Sequence, residues 1–392
     1  MQLIAAPAVV TGGRLHRPGA VAVQGDRVQE VLVGAAAAAA RQRADVVLPA
    51  GMLVPGFVDV QVNGYFGVDF IAAEPEDWAT VAVRLPETGV TGFVPTFITA
   101  PVDALCDGLR RAEKATAALA VSAASAARPL GVHIEGPFLA ERRRGAHNAD
   151  WLRDPDAATV DTLLAAAAPG TISILTLAPE RSGGMAAVRR LAEAGIVVSI
   201  GHSDASAEQV AAAADAGARM VTHLFNAQRP LHHRDPGVVG QALIDPRLTC
   251  GLILDLYHVA PGAARLAFTA APGRVALVTD AVAAAGMPPG RYVLGGEPVF
   301  VEQGQPPLRE AGVMAGSGLR LDVAVANAVG IGVDLVTAVE AASRVPADLL
   351  GRADLGRIAP GARADLVWLG DDLSVRATWV GGTVAYGAEV AV

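Results

Sequence analysis

The amino-acid sequence predicts an α/β barrel of eight parallel strands with a small β-sandwich domain attached. Between Gly56 and Ala281, short apolar runs alternate with alanine-rich stretches of helical composition, which is typical of a parallel sheet with crossover helices. Eight such runs occur, and eight is the strand number of a (β/α)8 barrel of TIM type. Most of them are continuously apolar, as expected of strands that are covered on both faces.

Polar residues collect at the downstream ends of the predicted strands. In chain order the strands are LVPGFVDVQV, VTGFVPTF, LGVHIEGPF, TISILTLAPE, IVVSIGHSDA, MVTHLFNA, LTCGLILD and RVALVTDA. The polar residues near their downstream ends are Gln61, Asn63, Glu135, Glu180, His202, His223, Asp255 and Asp280. Because these ends share one rim of a barrel, where active sites lie, we expect the side chains to converge.

The two ends of the chain predict a second, smaller domain. Segments 1–52 and 358–392 are rich in Gly and Val and contain short alternating runs, so we expect strands of one β-sandwich built from both ends. The barrel domain is then expected to span 53–357. The 392 residues suffice for a barrel, which commonly needs about 250 residues, and this appendage.

Composition and charge exclude several classes of protein. Hydrophobic residues make up 52% of the chain, but no run of about 18 apolar residues lacks polar breaks, so we expect no membrane span. A net charge of −8 gives no electrostatic footprint for nucleic acid, and an anionic substrate would need a local basic pocket. The apolar N-terminal stretch has no basic residue before it, unlike a secretory signal, which predicts a cytoplasmic location. Cys106 and Cys250 lie far apart, which fits a reducing compartment.

Three strand ends carry a possible metal site. Glu135, His202 and His223 would supply one carboxylate and two imidazoles, and a catalytic zinc takes three protein ligands of this kind. Each residue alone has an ordinary explanation as a hydrogen-bonded loop residue, but their joint position favours a metal. Asp280, at the end of the eighth strand, is a candidate general acid and base, with a helix N-cap as the alternative.

The first strand ends in Gln61-Val62-Asn63, where many metal-dependent barrel hydrolases carry a His-x-His pair. Amide side chains are poor zinc ligands beside imidazole and carboxylate. We therefore interpret Gln61 and Asn63 as groups that hydrogen-bond the rim and hold water or neighbouring loops in place.

Several motifs carry a family resemblance over nearly the whole chain. They are PGFVDVQVNG, GVHIEGPFL, RRRGAHN, LTLAPE, GHSDA, THLFNAQRPLHHRDPGVVG, LVTDA, MAGS and RIAPGARADLVWL. With them the chain resembles the N-acetylglucosamine-6-phosphate deacetylases of the amidohydrolase superfamily. The resemblance implies a homodimer that removes the acetyl group from N-acetylglucosamine 6-phosphate, with Asp280 as the catalytic aspartate.

The resemblance also implies a cofactor. Some members of this family with Gln-x-Asn at the first strand work with a single metal, so we expect one divalent metal ion per subunit. Zinc is the first candidate, and iron or manganese are alternatives because two imidazoles and a carboxylate accept all three.

Substrate-binding residues follow from the resemblance by motif position. They are Ala146, His147, Asn226, Ala227, Arg234, His258, Met314, Ala315 and Gly316. Arg234 and His258 correspond to phosphate contacts of the family, some of which cross a dimer interface, and a guanidinium suits a phosphate because its planar fork donates two bonds. From the residues alone, Arg234 is equally a solvated loop residue and His258 a surface histidine.

Three departures from the family pattern leave the sugar preference open. Leu256 stands where the family commonly has Gly, Gln228 where Met is common, and Arg320 where Thr is usual. The alternatives are therefore an enzyme for N-acetylgalactosamine 6-phosphate or for another N-acyl sugar or amino acid. An inactive sugar-phosphate-binding protein is a further alternative, although Glu135, His202, His223 and Asp280 are all present.

Overall fold

The computed structural model describes residues 1–122 and 125–387, and it confirms the predicted barrel. Eight parallel strands, each overlapping one of the predicted runs, pair in sequence order. We number them barrel strands 1 to 8: Phe57–Val62, Val90–Ile98, Val132–Glu135, Ile172–Leu177, Val197–Ile200, Ala218–Val221, Thr249–Ile253 and Val275–Val278. Every residue of strands 1 and 2 is buried, as their continuous apolar character predicts.

Strands 8 and 1 close the barrel at their carboxyl ends. The amide of Asp280 donates to the carbonyl of Gln61 at 2.9 Å, and the amide of Asn63 donates to the carbonyl of Ala281 at 2.8 Å. The seam therefore lies directly at the rim where the polar residues collect.

A helix follows each barrel strand and covers the outside of the barrel. The eight helices are Pro75–Arg84, Val102–Ser122, Ala157–Ala165, Gly184–Glu193, Ala207–Asp215, Gly237–Ile244, Pro261–Ala270 and Leu321–Gly330, and Leu335–Ala342 and Arg344–Leu349 come after them. Polar caps begin several of them: Ser206 and Gln209 form a capping box, and Asp156 accepts from the amide of Thr159. In the described part of the chain, no helix combines the length and the apolar character needed to cross a bilayer.

Two sheets form the predicted β-sandwich from both chain ends. One contains Gln2–Ala6, Gly19–Gln24, Arg27–Val33 and Val46–Val47, and the other Val9–Thr11, Arg14–His16, Met52–Pro55, Leu366–Leu369, Val375–Val380 and Thr383–Tyr386. Ile4, Leu53 and the fully buried Trp379 belong to the core between them. Helix Ala35–Arg41, formed by the alanine run, packs on the outer face of the first sheet.

A β-hairpin that the sequence did not reveal is inserted after strand 8. Its strands, Gly290–Leu294 and Glu297–Val301, pair antiparallel. Leu294 and Val299 pack with Ile98 and Ala315 in a small apolar cluster of their own. The hairpin thereby lies against the carboxyl rim of the barrel, beside the converging polar residues.

Smaller elements complete the described chain. Short strands Gly64–Tyr65 and Val68–Asp69 pair with each other, and Arg128–Pro129 pairs with strand 2. The 3-10 turns Leu85–Thr88, Glu141–Arg143 and Ala149–Trp151 are single turns in the connections. The turn Glu141–Arg143 follows strand 3 and lies at the rim.

Candidate active site

Glu135, His202 and His223 meet at the carboxyl rim as a compact, buried group of three. Oε1 of Glu135 lies 3.0 Å from Nε2 of His223 and 3.3 Å from Nε2 of His202. The two Nε2 atoms are 3.1 Å apart. Ligands held tetrahedrally at about 2.0–2.2 Å from a zinc ion lie roughly 3.3–3.5 Å from one another. The triangle is therefore close to the size that a small divalent cation requires.

The hydrogen bonds of His202 direct its lone pair toward that triangle. Its Nδ1 lies 2.8 Å from the carbonyl of Arg143, so Nδ1 carries the proton and donates it. Nε2 then presents a lone pair, 3.1 Å from Nε2 of His223. Two imidazole nitrogens and one carboxylate oxygen thus converge on a single point. This donor set fits a metal ion.

The charge of Glu135 is supported by the same imidazoles. Burial raises the pKa of Glu135, but its hydrogen bonds to His202 and His223 and their charges outweigh burial and hold the pKa well below its usual range. Burial lowers the pKa of His223, and the bond to Glu135 more than compensates, so that its pKa is raised. The carboxylate of Glu135 thus stays ionised and remains available as an anionic metal ligand.

Left-handed backbone conformations set the direction of the site residues. His202, His223 and Asp280 have φ values of 47°, 26° and 50°, and each follows the last residue of its strand by two positions. Such conformations cost a residue other than Gly about 1–2 kcal/mol. The surrounding structure has to compensate for this strain, which is a common property of functional sites.

Gln61 and Asn63 act as donors to the carboxylates of the site. Nδ2 of Asn63 donates to Oδ1 of Asp280 at 2.6 Å, and Nε2 of Gln61 donates to the same oxygen at 3.1 Å and to Oε1 of Glu135 at 3.2 Å. The two amides therefore hold the carboxylates in place.

Asp280 lies beside the metal-binding group and not at a helix start, since the next helix begins at Leu321. Burial and the negative charge of Glu135 raise the pKa of Asp280 to about 7. Within the described residues no hydrogen bond occupies its Oδ2, and the side chain lines a cavity. Gly316 approaches closely, since a Cβ there would lie 2.7 Å from the carbonyl oxygen of Asp280.

Asp59 braces the seam below Asp280. Its Oδ2 accepts from the hydroxyl of Thr279 at 2.6 Å, and its Oδ1 accepts from the amides of Thr279 and Gln61 at 3.2 and 3.3 Å. Burial raises the pKa of Asp59 to about 7 in spite of these bonds. The side chain thus ties strand 1 to the residue before Asp280.

A cavity of about 340 Å³ opens above these groups. Seven of the nine substrate residues predicted from the resemblance line it: Ala146, His147, Asn226, Ala227, His258, Met314 and Gly316. Ala315 is fully buried between two of them. Arg234 does not line the cavity. It is exposed and contacts Nε2 of His233 at 2.9 Å. Within a single chain it is therefore a solvated loop residue, the alternative that the sequence left open.

His147 and His258 reach the cavity in fixed orientations. Nδ1 of His147 lies 2.8 Å from Oγ1 of Thr99 and accepts from its amide at 3.4 Å, so the proton is on Nε2. Burial and the nearby His202 hold the pKa of His147 well below its usual range. His258 is no surface histidine, because its side chain is only 6% exposed and its Nδ1 lies 2.7 Å from Oδ2 of Asp255.

Several cavity residues were missed from the sequence. Arg142 and Arg143 lie in the motif RRRGAHN, which pointed to this segment but not to these side chains. Ile98, Ile253, Leu294 and Val313 form apolar parts of the wall. Nothing in their local sequence distinguishes them from ordinary core residues.

Arg309 links the inserted hairpin to the segment around His147. Its guanidinium donates to the carbonyls of Pro298, Leu294 and Ala146 at 3.2, 3.2 and 3.3 Å, and its side chain is 11% exposed. Asn148 adds a second link, since Nδ2 donates to Oε1 of Glu297 at 2.9 Å. The hairpin wall and the segment around His147 are therefore one connected unit.

None of the three residues that depart from the family pattern lines the cavity. Gln228 braces the turn after His223, because Nε2 donates to the carbonyl of Thr222 at 2.6 Å. Arg320 forms an ion pair with Asp322 at 2.9 Å and does not line the cavity. Leu256 adopts a φ of 67°, in the region that favours Gly.

Comparisons with known proteins agree with this geometry. Residues 52–385 match the model of the Amidohydrolase family. The chain is 38% identical to the N-acetylgalactosamine-6-phosphate deacetylase of Escherichia coli O157:H7 over 86% of this chain and 88% of that protein. It is 39% identical to the N-acetylglucosamine-6-phosphate deacetylase of Homo sapiens over 87% and 85% of the two chains.

Solved structures give the same result for the fold. The N-acetyl-D-glucosamine-6-phosphate deacetylase of Mycobacterium smegmatis superimposes with a TM-score of 0.91 at 37% identity, covering 98% of this chain and all of that chain. A mutant of that enzyme in complex with N-acetyl-D-glucosamine 6-phosphate superimposes with a TM-score of 0.90 at 38% identity, covering 98% and 99% of the two chains.

The position of Leu256 yields a prediction about stability. Leu256→Gly should be more stable to unfolding than Leu256→Ala by about 1 kcal/mol, because Ala keeps the left-handed strain and Gly does not. Urea denaturation gives the free energy of unfolding of the two variants, both of which lack the leucine side chain beyond Cβ. A higher stability of the alanine variant would show that the backbone here is unstrained.

The links of Arg309 predict local opening in its absence. Arg309→Met leaves three carbonyls without their donor, each at a cost of about 1–3 kcal/mol if it stays buried. Hydrogen–deuterium exchange should therefore rise tenfold or more in Gly290–Val301 and in 144–148. Exchange in Ala207–Asp215 serves as the internal control.

Arg309→Lys should fall between the wild type and the methionine variant, because an ammonium keeps the charge but not the fork of donors. Unchanged exchange in both segments of the methionine variant would mean that packing alone holds the hairpin.

Proposed function

The chain belongs to the amidohydrolase family, and on that premise we propose that it hydrolyses the acetamide of N-acetylglucosamine 6-phosphate to glucosamine 6-phosphate and acetate. The observation that carries this proposal is the meeting of Glu135, His202, His223 and Asp280 at the base of one cavity. Relatives named N-acetylglucosamine-6-phosphate deacetylase, which are 39% identical to this chain over most of its length, support the proposal.

The proposal includes one divalent metal ion per subunit, held by Glu135, His202 and His223. Such an ion supplies an activated water nucleophile and a Lewis acid for the amide carbonyl. Zinc is our first candidate, and iron and manganese are the alternatives for this donor set. The proposal has a single ion because Gln61 and Asn63 stand where a second ion would need imidazole ligands, and amide side chains are poor zinc ligands beside imidazole and carboxylate.

Asp280 performs the proton transfers in this proposal. Its carboxylate takes a proton as the nucleophilic oxygen bonds to the acyl carbon, and it returns a proton to the amine nitrogen as the C–N bond breaks. The amide groups of Gln61 and Asn63 hold Oδ1, which leaves Oδ2 free for the proton. The C–N bond is thus cleaved with a neutral amine as the leaving group.

The residues lining the cavity orient the sugar. Nε2 of His147 donates a hydrogen bond to a substrate oxygen, and His258, held by Asp255, contacts the phosphate. Asn226, Ala227, Met314, Ala315 and Gly316 complete the proposed substrate site.

We also propose a homodimer. Arg234 lies outside the cavity of its own chain, so the phosphate contact predicted for it from the family requires a second copy. The cytoplasmic location predicted from the sequence stays a prediction.

N-acetylgalactosamine 6-phosphate is a second candidate substrate. A relative named for that activity is 38% identical over 86% of this chain, much like the relatives named for the gluco sugar. The third alternative, an inactive sugar-phosphate-binding protein, is disfavoured because all four chemical groups lie in place.

Acetate release tests the function directly. Purified protein with measured metal content should release acetate from N-acetylglucosamine 6-phosphate faster than from the galacto epimer or the unphosphorylated sugar. Faster turnover of the galacto compound would transfer the proposal to the second candidate. The absence of acetate from all three, with metal bound, would mean that the substrate is wrong.

Asp280→Asn should lower kcat by about 10²–10⁴-fold, the range of general acid–base catalysis, because an amide cannot carry the proton. Elemental analysis should still find one metal ion per chain, since Glu135, His202 and His223 are intact. Retention of more than a tenth of the wild-type kcat would remove Asp280 from its proposed role.

A further inference from the structure

The rim of the cavity holds an arginine that the family resemblance does not assign. Arg142 and Arg143 both line the cavity, on the turn Glu141–Arg143. The guanidinium of Arg143 binds the carboxylate of Asp204, with Nε and Nη2 at 2.8 and 2.7 Å from Oδ1. Arg142 lies 3.6 Å from the other oxygen of the same carboxylate, and 79% of its side chain is exposed.

Two guanidinium groups therefore share one carboxylate. Glu180, the next acidic group, accepts from the hydroxyl of Ser203 and the amide of Asp204 at 2.7 and 2.6 Å. Within the described chain neither Glu180 nor Glu141 forms an ion pair with Arg142. Among the described residues Arg142 thus has only this long ion pair, which it shares with Arg143, and most of its guanidinium donors remain available for a further anion.

The backbone of Arg142 is fixed relative to the metal-binding group. The amide of Ala140 donates to the carbonyl of His202 at 2.9 Å, and Nδ1 of His202 donates to the carbonyl of Arg143 at 2.8 Å. Arg142 lies between these two anchors. Its side chain extends into solvent, but its backbone is tied to the proposed metal ligand His202.

The chemistry of the substrate places its phosphate at such a rim. The acetamide is on C2 and the phosphate on C6, which lie on opposite sides of the sugar ring. When the acetamide reaches Glu135, His202 and His223 at the base of the cavity, the phosphate is carried toward the mouth. A guanidinium at the mouth of the cavity whose donors are not all in use can donate two parallel hydrogen bonds to the phosphate.

We propose that Arg142 is a specificity-determining residue that binds the 6-phosphate of the substrate within the same chain. The inference rests on the proposed function and deepens it. Arg143 and Asp204 hold the turn in place, and Arg142 supplies the charge. Selection for phosphorylated over unphosphorylated amino sugars then depends on Arg142 as well as on His258.

Steady-state kinetics with paired substrates test this role. Arg142→Gln should raise KM for N-acetylglucosamine 6-phosphate tenfold or more with kcat within twofold. Its kcat/KM for unphosphorylated N-acetylglucosamine should stay within twofold of the wild type. Arg142→Lys should restore part of the loss, because it returns the charge without the fork. Arg189→Gln, at an exposed position of helix Gly184–Glu193, is the matched control and should change neither substrate.

Two results would overturn the inference. One is an unchanged KM for the phosphorylated sugar in Arg142→Gln while Arg234→Gln raises it, which would give the phosphate to Arg234. The other is an equal loss for both substrates, which would mean that Arg142 shapes the cavity without reading the phosphate.

A binding measurement separates this inference from the proposed function. Calorimetric titration of glucosamine 6-phosphate into the metal-loaded protein needs no turnover. If the wild type binds it but releases no acetate, the deacetylase proposal fails, and tenfold weaker binding by Arg142→Gln still supports the role of Arg142. If the wild type releases acetate and Arg142→Gln binds glucosamine 6-phosphate as tightly, only the present inference fails.

Discussion

The seam between barrel strands 1 and 8 is the interaction on which the rest of the structure depends. Backbone hydrogen bonds from Asp280 to Gln61 and from Asn63 to Ala281 close the barrel there. The side chains of the same residues join Asp280 to Gln61 and Asn63, and Asp59 secures the residue before Asp280. The same residues therefore close the barrel and orient the carboxylate of Asp280, the proposed acid–base group.

The strained backbone around the site is associated with the burial of several ionisable side chains. Glu135 and Asp280 are both buried, the charge of Glu135 raises the pKa of Asp280, and the Nε2 atoms of His202 and His223 lie 3.1 Å apart. A cation held by this group would offset the negative charge of Glu135. The left-handed backbone of His202, His223 and Asp280 is the conformational cost of bringing these groups together.

The sequence predicted the elements whose signals are local. Most barrel strands are continuous apolar runs, and seven of the eight have a named polar residue near the end, so the strands and the convergence of Glu135, His202, His223 and Asp280 followed from the pattern. The hairpin Gly290–Val301 lacked such a signal, because its strands are half exposed and its packing partners, such as Ile98, lie far away in sequence. Arg309 was likewise invisible, since its function depends on three carbonyls brought together only by the fold. Arg234 lies outside the cavity, and its basic loop sequence does not distinguish a phosphate contact from a solvated side chain.

The sandwich built from both chain ends has a consequence for how the protein is made. Strand Met52–Pro55 pairs with Leu366–Leu369, about 300 residues later in the chain. At ribosomal rates of about 5–20 residues per second, the first strand waits roughly 15–60 s for its partner. During that interval the apolar face around Leu53 has no cover from Trp379 and its neighbours. Newly synthesised molecules thus spend that time with an unpaired sheet edge, and a messenger truncated before Leu366 yields a chain on which that edge is permanent.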